Sequence, residues 1–418
     1  MSTTVTKLYL VRHAEAEGNL YRRIHGQYDS LVTDNGYRQI AALAHRFENI
    51  PVDAVYSSDL FRTRTTARAI YEPKGLPLTT RKALREVSMG VWEDRTWGEV
   101  ARTDAEQLRL FNATDARWQV EGGETFQALR ERVPAALRQI VRNHPGQTVA
   151  VVCHGTAIRN ALAVFQGLSI AESAKLPHSD NTAVSLLEFQ GEEVRVVFHD
   201  DASHLPEEIS TFAKQRWWKQ DTGSMADANL WFRPLDMERE EDFFRQCRGE
   251  AWLNIHGSWD NYDGDAFAAD ALAQWRFDHN SVICVMMNDE PAGLLHLDLR
   301  READKGIGYI PFVYLLPSYR KRGLGVQLIG QAVSVYRPLG RNYLRLRCAP
   351  DNLVAQRFYK RYGFYRVGSA AGTRVPLDLL EKYIGYGEPP RRGTLWADSI
   401  QAGGGRGPRV GAGTGRPG

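Results

Sequence analysis

Cysteine is scarce: four residues in 418, at positions 153, 247, 284 and 348, with no CxxC pair among them. So few and so scattered, they argue against a disulfide framework and fit a reducing compartment. Long apolar runs are missing too. No stretch approaches the ~18 residues of a membrane span, and the opening MSTTVTKLYLVRH lacks the apolar core of a secretion signal. These absences predict a cytoplasmic protein without a membrane partner. Neither charge sign dominates: 53 Lys and Arg stand against 50 Asp and Glu, a net +3. That is too little to argue for a nucleic-acid partner. No internal repeat is apparent, and nothing in the sequence speaks to oligomeric state.

What is present is ordinary globular composition, 43% hydrophobic and 25% charged. Single cores rarely grow past ~250–300 residues, so 418 residues predict two domains. Residues 7–11 (KLYLV), 52–56 (VDAVY) and 148–152 (TVAVV) read as short buried strands. Amphipathic helical patterns over 34–48, 58–71 and 125–143 lie between them, the second entered through Ser57-Ser58, good N-cap chemistry. Alternating strands and helices predict an α/β first domain, a mainly parallel sheet covered on both faces. The polar stretch 219–229 (KQDTGSMADAN) is the best linker. Beyond it come a helix near 236–248, strands near 281–287, 291–299 and 308–316, a helix over 323–336, a strand at 343–348 and a helix at 352–362. The expected division is 1–220, 221–385 and a tail, 386–418. The tail ends in Gly, Pro and Arg and is too poor in apolar groups to offset ordering entropy, so disorder is expected there.

The first domain's strands run straight into chemistry. KLYLV ends in Arg12-His13, TVAVV in Cys153-His154-Gly155, and VDAVY in Ser57-Ser58-Asp59 with Arg62 one turn on. Polar groups past the carboxyl ends of parallel strands sit where open α/β sheets bind ligands. Two arginine forks can grip a phosphoryl group's oxygens. A neutral imidazole can attack its phosphorus, kept unprotonated by the cations around it. The leaving alkoxide then needs a proton, and Glu86 in LREVSMGVWED is the candidate acid. Cys153 has two readings, a thiol nucleophile or a small buried strand residue. So has the group His199, Asp200, Asp201 and His204: a metal site or a closing loop.

LVRHAEAEGN, SSDLFRTRTTA, LREVSMGVWED and VVCHGTAIRNAL resemble, in order, the motifs of the histidine phosphatase (phosphoglycerate-mutase-like) superfamily. The resemblance implies that fold for the first domain, His13 as nucleophile, and Arg12 and Arg62 on the phosphate. It further implies Asn19 assisting, Glu86 as proton donor and His154 completing the pocket beside Gly155, with no metal. Where the family continues Gly-Glu-Thr after its histidine, this chain has Ala14, Glu15 and Ala16.

In the second half, YIPFVYLLPSYRKRGLG leads a strand through Pro317 into Arg320-x-x-Gly323-x-Gly325 and a helix. Glycines let backbone approach a ligand, helix N-terminal amides suit a pyrophosphate, and Lys321 and Arg322 add charge. This stretch, followed by APDNLVAQRFYKRYGFYRVG, resembles the GNAT N-acetyltransferase superfamily, which implies a mixed-sheet α/β fold and acetyl-CoA as donor. By that resemblance the cofactor lies on Leu315, Arg320, Lys321, Arg322, Gly323, Leu324, Gly325 and Asn352, and Tyr359 protonates the departing thiolate. The strand at 308–316 lacks a glutamate base. His296 and Asp298 are substitutes or, equally, solvent-facing strand residues. Trp252, Trp259 and Tyr262 line an acceptor pocket or pack a core. The expected substrates are a small phosphate ester and a small amine. A phosphoglycerate-type mutase and a non-catalytic phosphate-binding module remain alternatives for the first domain.

Overall fold

The computed structural model describes residues 4–214, 229–373 and 375–386. Most of the expected linker and all but one residue of the expected tail lie outside the described residues.

Six strands form the first sheet: β1 (Thr6–Arg12), β2 (Ala54–Ser57), β3 (Leu78–Thr80), β4 (Thr148–Cys153), β5 (Val184–Gln190) and β6 (Glu193–Asp201). Their spatial order is β3-β2-β4-β1-β5-β6. The first four are parallel, with β1 beside β4 from Lys7↔Thr148 to Arg12↔Cys153. β5 and β6 add an antiparallel edge. Among the described residues eight helices accompany the sheet: α1 (Glu17–Tyr21), α2 (Asp34–Phe47), α3 (Phe61–Tyr71), α4 (Trp97–Thr103), α5 (Ala105–Asn112), α6 (Phe126–Asn143), α7 (Gly155–Phe165) and α8 (Thr211–Lys214). Thr33 and Thr125 start α2 and α6 by accepting the amides of Gly36 (3.0 Å) and Ala128 (3.2 Å). Alternate residues of β4 face opposite cores. Val149 and Val151 pack with α6 and α7, Ala150 and Val152 with α2 and α3.

The second sheet has β7 (Trp231–Pro234), β8 (Val282–Met287), β9 (Glu290–Asp298), β10 (Ile307–Leu315), β11 (Tyr343–Cys348), β12 (Tyr365–Ala370) and β13 (Leu377–Tyr383), in the order β12-β13-β11-β10-β9-β8-β7. Only β10 and β11 run parallel. Two helices, α9 (Glu241–His256) and α10 (Gly264–Phe277), cover one face, and α11 (Gly325–Tyr336) lies against the other, with α12 (Leu353–Arg361) following β11. The mixed sheet agrees with expectation. Strands β5, β6, β7, β12 and β13 and helices α4, α5 and α10 carried too little pattern to be anticipated.

The two units meet along α1 and α11. Tyr21 belongs to the second unit's core, and a Cβ on Gly330 would come within 2.5 Å of it. Arg337 donates to both oxygens of Glu17 at 2.9 Å, with both side chains buried. Arg23 donates to Asp94 (2.7 Å), to Gln331 (2.9 Å) and to Ser334 (2.8 Å), and Ser334 in turn donates to Asp94.

Candidate active sites

The carboxyl ends of β1, β2 and β4 lie side by side, and the expected residues of the first site meet there. His13 follows β1, its amide donating to Cys153 at 3.0 Å. Its ring lies 5.3 Å from that of His154, the N-cap of α7. The Nδ1 of His13 is 2.8 Å from the carbonyl oxygen of Ala14. A carbonyl only accepts, so Nδ1 carries the proton and Nε2 keeps its lone pair. Burial, then the charges of Arg62 and Arg12, hold His13 well below the ordinary histidine pKa; His154 is lowered by burial, Arg62, His13 and Arg12.

Neither arginine makes an ion pair with a carboxylate among the described residues. Arg62, 1% exposed, is aimed by three carbonyls of the loop before α2: Tyr28 at 3.0 Å, Gly26 at 2.6 Å and His25 at 3.3 Å. Arg12 donates to the carbonyl of Ser179, and its Nε is buried without a partner. A Cβ on Gly155 would lie 3.2 Å from that Nε, which explains a residue without a side chain there. Glu86 reaches the start of α7, accepting from Thr156 and Ala157 at 2.9 Å each and from Val87 at 2.9 Å. Asn19, the last residue of the first motif, accepts from the amide of Ala16 at 3.1 Å.

Several supports were not anticipated. Ser58 binds His154 Nε2 at 2.8 Å rather than capping a helix, and α3 starts at Phe61 with Leu60 as its uncapped N-cap. Asn181 donates to the carbonyl of His13 at 2.8 Å. A serine after a strand and the polar run Ser179-Asp180-Asn181 were visible signals. Cys153 is 1% exposed and burial pushes its thiol up to about 12, so the small buried residue is the right reading. His204 contacts Arg46 and Thr182 while His199 pairs with Asp200. No cluster with metal-ligand geometry occurs among the described residues.

In the second unit the β10–β11 ladder runs only from Ile307↔Tyr343 to Ile310↔Leu346. Past a bulge between Tyr309 and Phe312, β10 stays on β9, while β11 stays on β13. The strands part, leaving one edge of β10 open up to Leu315. Arg320 Nε donates to the Leu315 carbonyl at 2.8 Å. Lys321 (φ 60°) and Gly323 (φ 76°) adopt left-handed conformations that turn the loop into α11. A Cβ on Gly323 would meet nothing, and one on Gly325 would lie 3.1 Å from the Phe358 ring. Leu324 is buried in the core, and Lys321 is exposed. These open amides, the flanking cations and the free strand edge fit a pyrophosphate and an extended amide chain. Asn352 caps α12 through Ala355 at 3.2 Å. Tyr359 packs on Phe358 and Phe364. Burial, reinforced by Cys348, raises its pKa.

Two expectations need correcting. His296 is 1% exposed, not solvent-facing: its Nε2 lies 3.1 Å from Gln274, and burial lowers its pKa to about 3, too weak for a base. Asp298 instead accepts the turn amides of Arg300 and Arg301. Trp259 is 55% exposed against Tyr262 rather than core. Glu250, which the sequence did not single out, accepts from the Tyr314 hydroxyl at 2.8 Å.

Comparison with known proteins agrees with both halves. The histidine phosphatase superfamily (branch 1) matches residues 8–202, and the acetyltransferase (GNAT) family matches 242–364. A probable phosphoglycerate mutase GpmB from Salmonella choleraesuis is 34% identical over 186 residues, 44% of this chain and 85% of that protein. Among solved structures, Bacillus stearothermophilus YhfR is 30% identical, covering 48% of this chain and 98% of its own, with a TM-score of 0.46. A mycobacterial glucosyl-3-phosphoglycerate phosphatase is 25% identical over 47% of this chain and 100% of its own, with a TM-score of 0.44. No helix among the described residues is long and apolar enough to cross a membrane. The chain belongs to the histidine phosphatase superfamily through its first half and joins to it an acetyltransferase domain of the GNAT family.

Proposed function

We propose a bifunctional cytoplasmic enzyme: residues 1–220 hydrolyse a small phosphate monoester through a phosphohistidine, and residues 221–385 acetylate a small amine from acetyl-CoA. The observation that carries the first half is two guanidiniums, Arg62 buried and Arg12 half-buried with a buried Nε, that have no carboxylate partner among the described residues and face an imidazole whose Nε2 is free. Buried cations demand an anion. A phosphoryl group held by Arg12, Arg62, the unbonded amide of Gly155 and Asn19 sits in line for His13 Nε2. Attack breaks the ester bond, Glu86 delivers a proton to the departing oxygen, and His154 stabilises the equatorial charge. Glu86 then takes a proton from the water that frees phosphate. A metal is not needed in this scheme because the arginines supply the positive charge.

In the second half, acetyl-CoA supplies the activated acetyl group. The loop 320–325 and the N-terminus of α11 hold its pyrophosphate, the edge of β10 near Leu315 pairs its pantetheine arm, and Tyr359 gives a proton to the thiolate. Asn352 acts by starting α12, the helix that carries Tyr359.

Phosphate release from a panel of monoesters tests the first half. Wild type should turn over and form an acid-labile phosphoprotein, and His13→Ala should do neither. Equal rates refute the role. Isomerised product in place of free phosphate favours a mutase, as the relatives' name suggests. Ligand binding without a labelled phosphoprotein indicates a non-catalytic module.

A further inference from the structure

Among the described residues the second unit holds a cation that touches aromatic rings but has no hydrogen-bond or ion-pair partner. Arg248 projects from α9 with its guanidinium carbon 4.0 Å from the ring centre of Phe267 and 4.4 Å from that of Phe312. Its Nε is buried without a hydrogen-bond partner. Among the described residues the guanidinium has neither a hydrogen bond nor an ion pair. Burial lowers its pKa to about 10, so it stays charged at neutral pH. Two aromatic faces hold the fork flat and leave its five N–H groups for something else.

The surroundings say what that is. Phe312 is the first β10 residue past the bulge, where β11 has left and the thioester of a bound acetyl-CoA would lie. Phe267 and Phe312 are both half-buried, so the fork is reachable from solvent. One turn along α9 the indole N–H of Trp252 is also buried and unpartnered, beside Tyr262 and Phe267. His296 keeps an unpartnered Nδ1 on the same sheet face, with Phe244 against its ring. The site is thus a planar cation and a spare N–H donor in an aromatic frame at the mouth of the strand opening.

We propose that Arg248 recognises the acid group of the acetyl acceptor, so that the second unit acetylates an amine that also bears a carboxylate or a phosphate. This rests on the acetyltransferase reading above. The planar fork takes two oxygens of the acid at once. The amine nitrogen then bonds to the acetyl carbon as the carbon–sulfur bond breaks. The sulfur gains one proton and the nitrogen loses one to water, so no further reactant enters.

The test uses the full chain and thiol release from acetyl-CoA. The acceptor panel pairs amino acids with their amides, and phosphorylated amines with their unphosphorylated parents. The wild type should prefer the anionic member of an active pair at least ~10-fold in kcat/KM, as expected of a charge-assisted contact. Which type of pair responds separates carboxylate from phosphate. Arg248→Met should raise the acceptor KM ~10- to 100-fold and leave acetyl-CoA binding by calorimetry unchanged. Arg248→Lys, which keeps the charge but loses the fork, should fall between, with a wild-type melting temperature as evidence of folding. Equal use of both members of every pair, no acceptor anywhere in the panel, or an Arg248→Met enzyme with wild-type acceptor KM overturns the proposal. Absence of acetyl-CoA binding to wild type instead overturns the acetyltransferase reading itself.

Discussion

Removing either partner of the ion pair between Glu17 and Arg337 should cost several kcal/mol, because the charge left behind has no water to fall back on. Both Nη groups of Arg337 meet both oxygens of Glu17 at 2.9 Å, with side chains 6% and 5% exposed. Removing one charge from such a pair strands the other and costs ~3–5 kcal/mol, whereas an exposed pair is worth ~0–1 kcal/mol. Glu17→Gln is the better acid-side variant, since Glu17 also accepts from Leu31 N at 3.1 Å and the amide retains an acceptor. Arg337→Met should fall at the upper end, because Arg337 also donates to the Ile384 carbonyl at 2.8 Å. Once one partner is gone, losing the other should cost little more, so the double variant should resemble a single one, with a coupling of ~3 kcal/mol or more. Urea unfolding of the four proteins measures the cycle. Single variants within ~0.5 kcal/mol of wild type, or costs that simply add, would refute the view that this seam is buried and rigid.

Two more outcomes follow from the sites. His13 and His154 are buried with pKa values well below 6.5. The unfolded chain therefore binds protons below pH 6.5 that the folded chain refuses, and stability falls as pH drops, by up to ~1.4 kcal/mol per pH unit for each histidine. His154→Gln should flatten the slope of unfolding free energy between pH 6 and 5 by about one such increment; an unchanged slope would contradict the assignment. Gly325→Leu should force the Phe358 ring away, from the 3.1 Å a Cβ would already reach. Calorimetry should then show acetyl-CoA affinity at least ~10-fold weaker with phosphate release unaltered, and equal affinity would remove the cradle from α11.

The parts that could be read from the sequence were those whose chemistry and local pattern coincide. β1 and β4 are apolar runs that end in Arg12-His13 and His154-Gly155, so one stretch declares both the strand and what its end presents. The glycine turn into α11 is similar, since positive φ at Gly323 leaves few other residues possible. Ser58 misled because serine before a helix is also good cap chemistry, and only the arrival of His154 from ninety-odd residues away gives it another partner. His296 misled for the same reason: alternation along β9 says which residues share a face, not which face the preceding pair of helices, α9 and α10, will cover.

The seam was the least legible feature, and its composition shows why. Glu17, Tyr21 and Arg23 look like a solvated first helix after a catalytic motif, and Ser334 and Arg337 look like the polar edge of an amphipathic one. In the folded chain Glu17, Tyr21, Arg23 and Arg337 are buried and Ser334 is half-buried where the two units meet. The consequence is mechanistic as well as structural. Arg62 is aimed by the carbonyls of His25, Gly26 and Tyr28; His25 bonds to Asp94 at 3.0 Å, and Asp94 accepts from Ser334 of α11. Arg62, the arginine proposed to grip the phosphate, is thereby positioned through contacts with α11, the helix whose N-terminus is proposed to hold the pyrophosphate. Phosphate release by the first unit expressed alone should therefore be slower than by the intact chain, and equal rates would show that the seam does not position Arg62.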